Sequence, residues 1–136
     1  MILQASFKEL NDIISEKTTL KGLSLAYSDT DTASVSFQLN ILGLTPSIKG
    51  KVKILSIEGS KITAEVDAGS MGAFILDKAK KLVMEKTPEG LFESFDGKLA
   101  ILDLDAIPEL KSVFEAITVD GLSFTEEAVC LDASLK

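Results

Sequence analysis

The sequence predicts an α+β fold in which a long, strongly twisted antiparallel meander wraps on a central amphipathic helix, with an N-terminal helix and a C-terminal strand pair. Apolar residues alternate with polar ones over residues 20–68, recur at helical spacing over 71–85, and alternate again over 117–135. Helices and strands thus come in runs, which favours an antiparallel sheet. The 136 residues are 46% apolar and contain no repeat or linker, so we expect a single domain over residues 1–136.

The first helix is predicted from Ser6 to Lys17. Ser6 and Glu9, three residues apart, have the form of a capping box at its start. The apolar residues of this segment repeat at the spacing of one helix face, which indicates an amphipathic helix. These residues are Phe7, Leu10, Ile13 and Ile14.

Four strands are predicted in the meander, over residues 20–27, 33–41, 48–57 and 61–68. In the third strand the inward apolar positions are even up to Ile54 and odd from Leu55 onward. Because a strand cannot change the parity of its buried face without an extra residue, we predict a β-bulge between these two positions. Glu58, Gly59 and Ser60 then predict a hairpin turn.

The second half of the chain is predicted to contain two helices before the closing strands. Each helix begins at a residue that suits an N-cap, a serine for the first and an aspartate for the second. The predicted elements are a helix over Met71–Glu85 capped by Ser70, a compact apolar cluster of Leu91, Phe92 and Phe95, a short strand or extended run over Leu99–Leu104, a helix over Ala106–Ala116 capped by Asp105, and strands over Ile117–Leu135.

Charge and the missing residue types exclude several functions. The chain carries 14 basic residues, all lysines, against 21 acidic ones, a net charge of −7. An acidic chain without arginine lacks the basic face that nucleic-acid binding needs, so we expect no nucleic-acid partner. With no histidine and one cysteine, Cys130, the chain can form no histidine-based triad, no intrachain disulfide and no cysteine-based zinc site. We therefore predict a protein that is not an enzyme and that needs no cofactor or metal ion.

Two charged clusters have alternative interpretations. The acidic residues Asp29, Asp31, Asp103, Asp105 and Glu109 lack the loop pattern of a calcium site, and turn formation and helix capping explain them better. A row of lysines on one face of the third strand is either a docking patch for an anionic headgroup or acidic partner, or a solvated face that discourages edge pairing. We favour the solvated face for this row, which is Lys49, Lys51 and Lys53.

Four segments carry a resemblance to a known family: Ile48–Ile54, Ile62–Val66, Leu102–Asp105 and Ile117–Phe124. Together with the helix over 71–85, their pattern resembles the tubular lipid-binding (TULIP) superfamily. This resemblance implies a highly curved sheet wrapped around a long helix, and an apolar groove that binds lipid-like molecules. It implies no catalytic residue.

The leading functional prediction is non-enzymatic binding of a lipid-like or other apolar ligand in a groove between sheet and central helix. The alternative is a protein–protein interaction or scaffold protein that forms a homo-oligomer and binds no small-molecule ligand. A carboxylate-based hydrolase is the third hypothesis. The chain lacks a membrane-spanning apolar stretch and a secretory signal pattern at its N-terminus, so we predict a cytoplasmic protein. The predicted ligand-lining residues are Phe37, Leu39, Ile54, Val66, Phe74, Ile75, Leu82 and Phe114.

Overall fold

The computed structural model has an α+β fold in which two antiparallel sheets are accompanied by helices, as the order of sequence patterns predicts. It describes residues 1–17, 22–38, 40, 43–45, 47–69 and 73–136, without the side chains of 17 and 73–75. The elements are β1 (Ile2–Ser6), α1 (Phe7–Lys17), β2 (Ser24–Asp29), β3 (Thr32–Gln38), β4 (Ser47–Glu58), β5 (Lys61–Asp67), α2 (Ala73–Lys86), β6 (Phe92–Asp96), β7 (Leu99–Asp103), a 3-10 helix (Leu104–Ala106), α3 (Pro108–Ala116), β8 (Ile117–Phe124) and β9 (Ala128–Leu135).

The larger sheet has six strands in the order β2-β3-β4-β5-β7-β6, and every neighbouring pair is antiparallel. The predicted bulge is present, because the register of β4 against β5 shifts between Ile54 and Ser56. The predicted hairpin turn after Glu58 is also confirmed, and Gly59 adopts a φ of 61° there, which glycine tolerates best. The meander over residues 24–67 therefore forms as the alternation predicts.

The smaller sheet has the order β1-β9-β8, and its first strand is absent from the sequence-based prediction. Residues Ile2 to Ser6 pair antiparallel with β9, with Leu3 opposite Leu131. Five residues are too few to show a reliable alternation, and this strand depends on a partner more than 120 residues away in the chain. The predicted capping box is confirmed where β1 ends and α1 begins, since the Glu9 N–H donates to Ser6 Oγ at 3.0 Å.

The predicted cluster near Leu91 is accompanied by a strand that the sequence analysis missed. The rings of Phe92 and Phe95 stack with their centroids 5.7 Å apart, and both residues belong to β6, which forms a hairpin with β7. The predicted cap of the third helix is wrong. Asp105 does not cap α3: Asp103 accepts the Asp105 N–H at 3.0 Å and so caps the 3-10 helix instead. The helix α3 begins at Pro108, whose fixed φ and missing N–H suit the first turn. The predicted cap Ser70 lies outside the described residues.

Among the described residues, ten of the fifteen buried apolar side chains form three clusters, and each cluster contains a residue of one helix. We name each cluster after the helix it contacts. They are the α1 cluster (Phe7, Ala33 and Phe124), the α2 cluster (Phe37, Ile48 and Ala79) and the α3 cluster (Phe114, Ile117, Val119 and Ala133).

The outer edge of β2 is closed by a side chain of α1. Asn11 donates from Nδ2 to the Leu25 carbonyl at 3.0 Å and accepts the Leu25 N–H on Oδ1 at 2.7 Å. The amide of Asn11 thus takes the place of one residue of a neighbouring strand. An edge residue satisfied in this way is protected from pairing with another chain.

We predict that Asn11→Ala lowers the free energy of unfolding by about 1–3 kcal/mol, because it leaves the partly buried Leu25 N–H and carbonyl without partners. Urea denaturation followed by circular dichroism measures this loss. The control is Ser15→Ala on the exposed side of α1, which we expect to change the stability by less than about 0.5 kcal/mol. Equal effects of the two substitutions would contradict the proposed role of Asn11.

Candidate functional site

The residues predicted to line a ligand site lie in different parts of the structure. Phe37 and Leu82 come together in the α2 cluster. Ile54 packs against the α1 cluster, and Phe114 is buried in the α3 cluster. Val66 is half-buried on β5. Leu39 and the side chains of Phe74 and Ile75 lie outside the described residues.

The helix α2 packs on the apolar face of the six-stranded sheet. On one side, Leu82 and Val83 accompany Ala79 in its contact with β3 and β4. On the other side, Lys80 donates to the carbonyl of Gly97 at 2.7 Å, and its ammonium lies 4.8 Å from the centroid of the Phe95 ring. These contacts join α2 to β3 and β4 on one side and to the β6–β7 hairpin on the other.

A pair of valines forms a strip on the apolar face of the sheet, between the two sets of α2 contacts. Val52 of β4 and Val66 of β5 lie directly opposite each other on the apolar face, and both are half-buried. Val66 donates its N–H to the Lys98 carbonyl at 2.6 Å, next to the turn that Lys80 contacts. Within the described part of the chain, neither valine belongs to a core cluster. This strip is the candidate apolar site.

The opposite, polar face of the same sheet carries an open depression of about 490 Å³. Sequence reasoning missed this depression, although its signal is present as serines that alternate along β2 and β3 beside the lysines of β4. The backbone of Val35, Gly50 and Gly69 adjoins it. Its polar lining consists of Ser24, Ser34, Ser36, Lys49, Lys51 and Asp67.

The charged side chains around the sheet differ in how they are paired. Lys53 lies 3.9 Å from an Asp31 oxygen, and Lys61 lies 2.9 Å from a Glu93 oxygen. The hydrogen bond and negative charge of Glu93 raise the pKa of the exposed Lys61 above its ordinary value. Neither of these two lysines lines the depression.

The carboxylates singled out in the sequence have structural partners. Asp103 accepts the Ser60 hydroxyl at 2.9 Å as well as the Asp105 N–H, and Asp31 accepts the Thr32 hydroxyl at 2.8 Å. In the described ranges, no group of three histidine, cysteine or acidic side chains could hold a metal ion. Capping therefore accounts for Asp103, and turn formation accounts for Asp31.

The fold and these two surfaces define an α+β protein whose large antiparallel sheet presents one apolar and one polar face. None of its described helices is long and apolar enough to cross a bilayer. Comparison with protein-family models, with curated proteins and with solved structures gives no match. The function is therefore argued from the geometry of the two faces.

We predict that Phe114→Ala lowers the free energy of unfolding by about 3–5 kcal/mol, because this ring fills the α3 cluster and is only 7% exposed. Thermal and urea unfolding measure the change. Val113→Ala is the control, since Val113 is 38% exposed on the same helix and we expect a loss below about 1 kcal/mol. A small effect of Phe114→Ala would instead favour a ligand-lining position for this residue.

Proposed function

We propose that this protein is a non-enzymatic binding protein that holds a lipid-like or other apolar ligand between α2 and the apolar face of the six-stranded sheet. The observation that carries the proposal is the Val52–Val66 pair, which is half-buried on the apolar face of the sheet between the two sets of α2 contacts. Half-buried valines on a core-facing strip offer apolar surface that a ligand can cover. Each methylene group of an acyl chain buried there contributes about 0.8 kcal/mol.

The proposal includes a sheet that wraps toward α2, and Gly50 supports this curvature. A Cβ atom built on Gly50 would point to the apolar face and lie 3.0 Å from the Asp67 carbonyl oxygen and 3.7 Å from the Ala68 Cα atom. The end of β5 therefore approaches β4 closely at a point where only glycine leaves the space. Such close approach of neighbouring strands is expected in a strongly coiled sheet.

The side chains of this groove act through shape and the exclusion of water. Phe37 and Leu82 lie at one end of the strip as part of the α2 cluster. Binding without chemistry is also consistent with a chain that has no histidine or arginine.

We predict that the purified protein carries bound lipid in native mass spectrometry and, after delipidation, binds the fluorescent fatty acid cis-parinaric acid. Val66→Trp fills the strip and should weaken parinarate binding about tenfold or more, which corresponds to the loss of two buried methylene groups. Fluorescence titration of the delipidated protein measures the affinity.

The matched control is Glu65→Trp, which adds the same ring on the adjacent, exposed position of the opposite face. It should bind parinarate as the unmodified protein does. Circular dichroism checks that both variants fold. Absence of saturable binding to the unmodified protein, or equal binding by the two tryptophan variants, would overturn the proposed groove.

Self-association through β1 is the second candidate function, and the backbone geometry of this edge strand favours it. The Met1 carbonyl accepts the Ala133 N–H at 2.8 Å and the Phe7 N–H donates to Glu127 at 2.9 Å, so odd-numbered residues face β9. Because the hydrogen-bonding direction alternates along a strand, the N–H and carbonyl groups of Ile2 and Gln4 point to the free edge. Among the described strands, none pairs with this edge.

The other sheet edges are protected in ways that β1 is not. Asn11 closes β2, the short β6 carries Glu93 and Asp96, and β8 donates the Phe124 N–H to Thr30 at 2.8 Å. The strand β1 has no charged side chain, and Leu3, on its core-facing side, is 37% exposed. A second copy of this chain is the occupant we propose, because antiparallel pairing across a two-fold axis near Leu3 brings two uncharged edges together within an acidic protein.

We predict a solution mass of about twice the 14.5 kDa of one chain by multi-angle light scattering. Gln4→Pro removes an outward N–H while keeping the bonds to β9, so it should give the monomer. The control Leu135→Ser removes an exposed apolar side chain of the same sheet away from the β1 edge and should leave the dimer intact. A monomeric unmodified protein, or dissociation by the control alone, would reject pairing through β1.

A further inference from the structure

We propose that the depression on the polar face of the six-stranded sheet is a second binding site, and that its ligand is a small phosphate monoester carrying hydroxyl groups. This site lies on the opposite face of the sheet from the proposed apolar groove, so neither proposal depends on the other. Its volume of about 490 Å³ falls within the range of small-molecule sites.

The strand register arranges the lining side chains in two rows across the sheet. In the first row, Ser24 pairs with Ser36, and Ser36 pairs with Lys49. In the second row, Ser34 pairs with Lys51, which pairs in turn with Asp67 of β5. Hydroxyl groups therefore occupy the β3 side of the depression, and ammonium groups occupy the β4 side.

Two lysines and one carboxylate, Asp67, face this depression, so its lining carries a net positive charge. Lys49 and Lys51 are two residues apart on one strand, which places their Cα atoms about 7 Å apart on the same face. No described carboxylate forms an ion pair with either lysine. Asp67 is next to Lys51 in the register, but its Oδ1 atom accepts the Gly69 N–H at 2.8 Å and is held in that turn.

The contrast with Lys53 separates this site from an ordinary solvated strand face. Lys53 points to the same side of β4 but lies beyond the depression, and its ammonium forms an exposed ion pair with Asp31 at 3.9 Å. Lys53, outside the depression, thus has an ion-pair partner, whereas Lys49 and Lys51, which line the depression, form no ion pair with a described carboxylate. A phosphate monoester, with a charge of about −1.5 to −2 at pH 7, matches two ammonium groups better than a carboxylate does.

The serine hydroxyls provide the second half of the recognition. Ser24 Oγ and Ser36 Oγ are hydrogen-bonded at 2.9 Å, and a hydroxyl pair of this kind retains lone pairs that can accept from a ligand hydroxyl. The Ser34 hydroxyl meets no partner in the described part of the chain. A polyol attached to the phosphate would therefore find both donors and acceptors beside the lysines.

The test is a titration of the ¹⁵N-labelled protein with glycerol 3-phosphate, followed by amide chemical shifts. We expect saturable shifts at the lining residues of β2, β3 and β4, and a higher melting temperature at saturation because the ligand relieves the repulsion between the two lysines. The double variant Lys49→Gln, Lys51→Gln should bind about tenfold more weakly. Lys53→Gln, the matched control on the same strand face, should bind within about twofold of the unmodified protein.

Three further results would overturn the site. Equal shifts with glycerol would show that the phosphate is not recognised. An equal loss with Lys53→Gln would show only general attraction to a basic face. Sedimentation with phosphatidic acid vesicles, without binding of glycerol 3-phosphate, would assign the lysines to a membrane surface. Circular dichroism of the exposed lysine variants confirms that they fold.

Discussion

The extra residue in β4 is the constraint on which the core depends. This strand has 12 residues and is about 40 Å long, so it passes all three core clusters. Ile48 belongs to the α2 cluster, Ile54 packs against the α1 cluster and Ile57 against the α3 cluster. Ile54 and Ile57 are three residues apart and would face opposite sides of a regular strand. The register shift at Leu55 turns both toward the core, and leaves Leu55 itself 47% exposed.

A strand that is apolar along one face must present its remaining residues on the other. In β4 those residues include three lysines, within a chain whose net charge is −7. Like charges two residues apart repel one another, so this face needs counter-ions from elsewhere. Asp31 supplies one from the β2–β3 turn, where it also accepts the Thr32 hydroxyl. The turn that joins two strands thus contributes to the electrostatic balance of a third.

The residue pattern of the sequence correctly predicted those features of the fold that depend on short segments. The capping box at Ser6, the bulge at Leu55 and the turn at Gly59 each depend on a few neighbouring residues, and each is confirmed. The pairing of β1 with β9 and the hairpin of β6 with β7 depend on contacts between segments, which periodicity does not record. For the same reason, the predicted ligand-lining residues share an apolar character without sharing a location. Phe114 and Phe37 fill different clusters because α3 and α2 cover different parts of the strands.

Gly50 links the two surfaces of the sheet. On the apolar face, its missing side chain lets the end of β5 approach β4, because a Cβ atom there would meet the Asp67 carbonyl oxygen at 3.0 Å. On the polar face, its backbone adjoins the depression between Lys49 and Lys51. A side chain at this position would press against the Asp67 carbonyl oxygen, so the end of β5 would have to move away from β4. The close approach of β5 to β4 and the hollow beside the lysines therefore meet at one residue without a side chain.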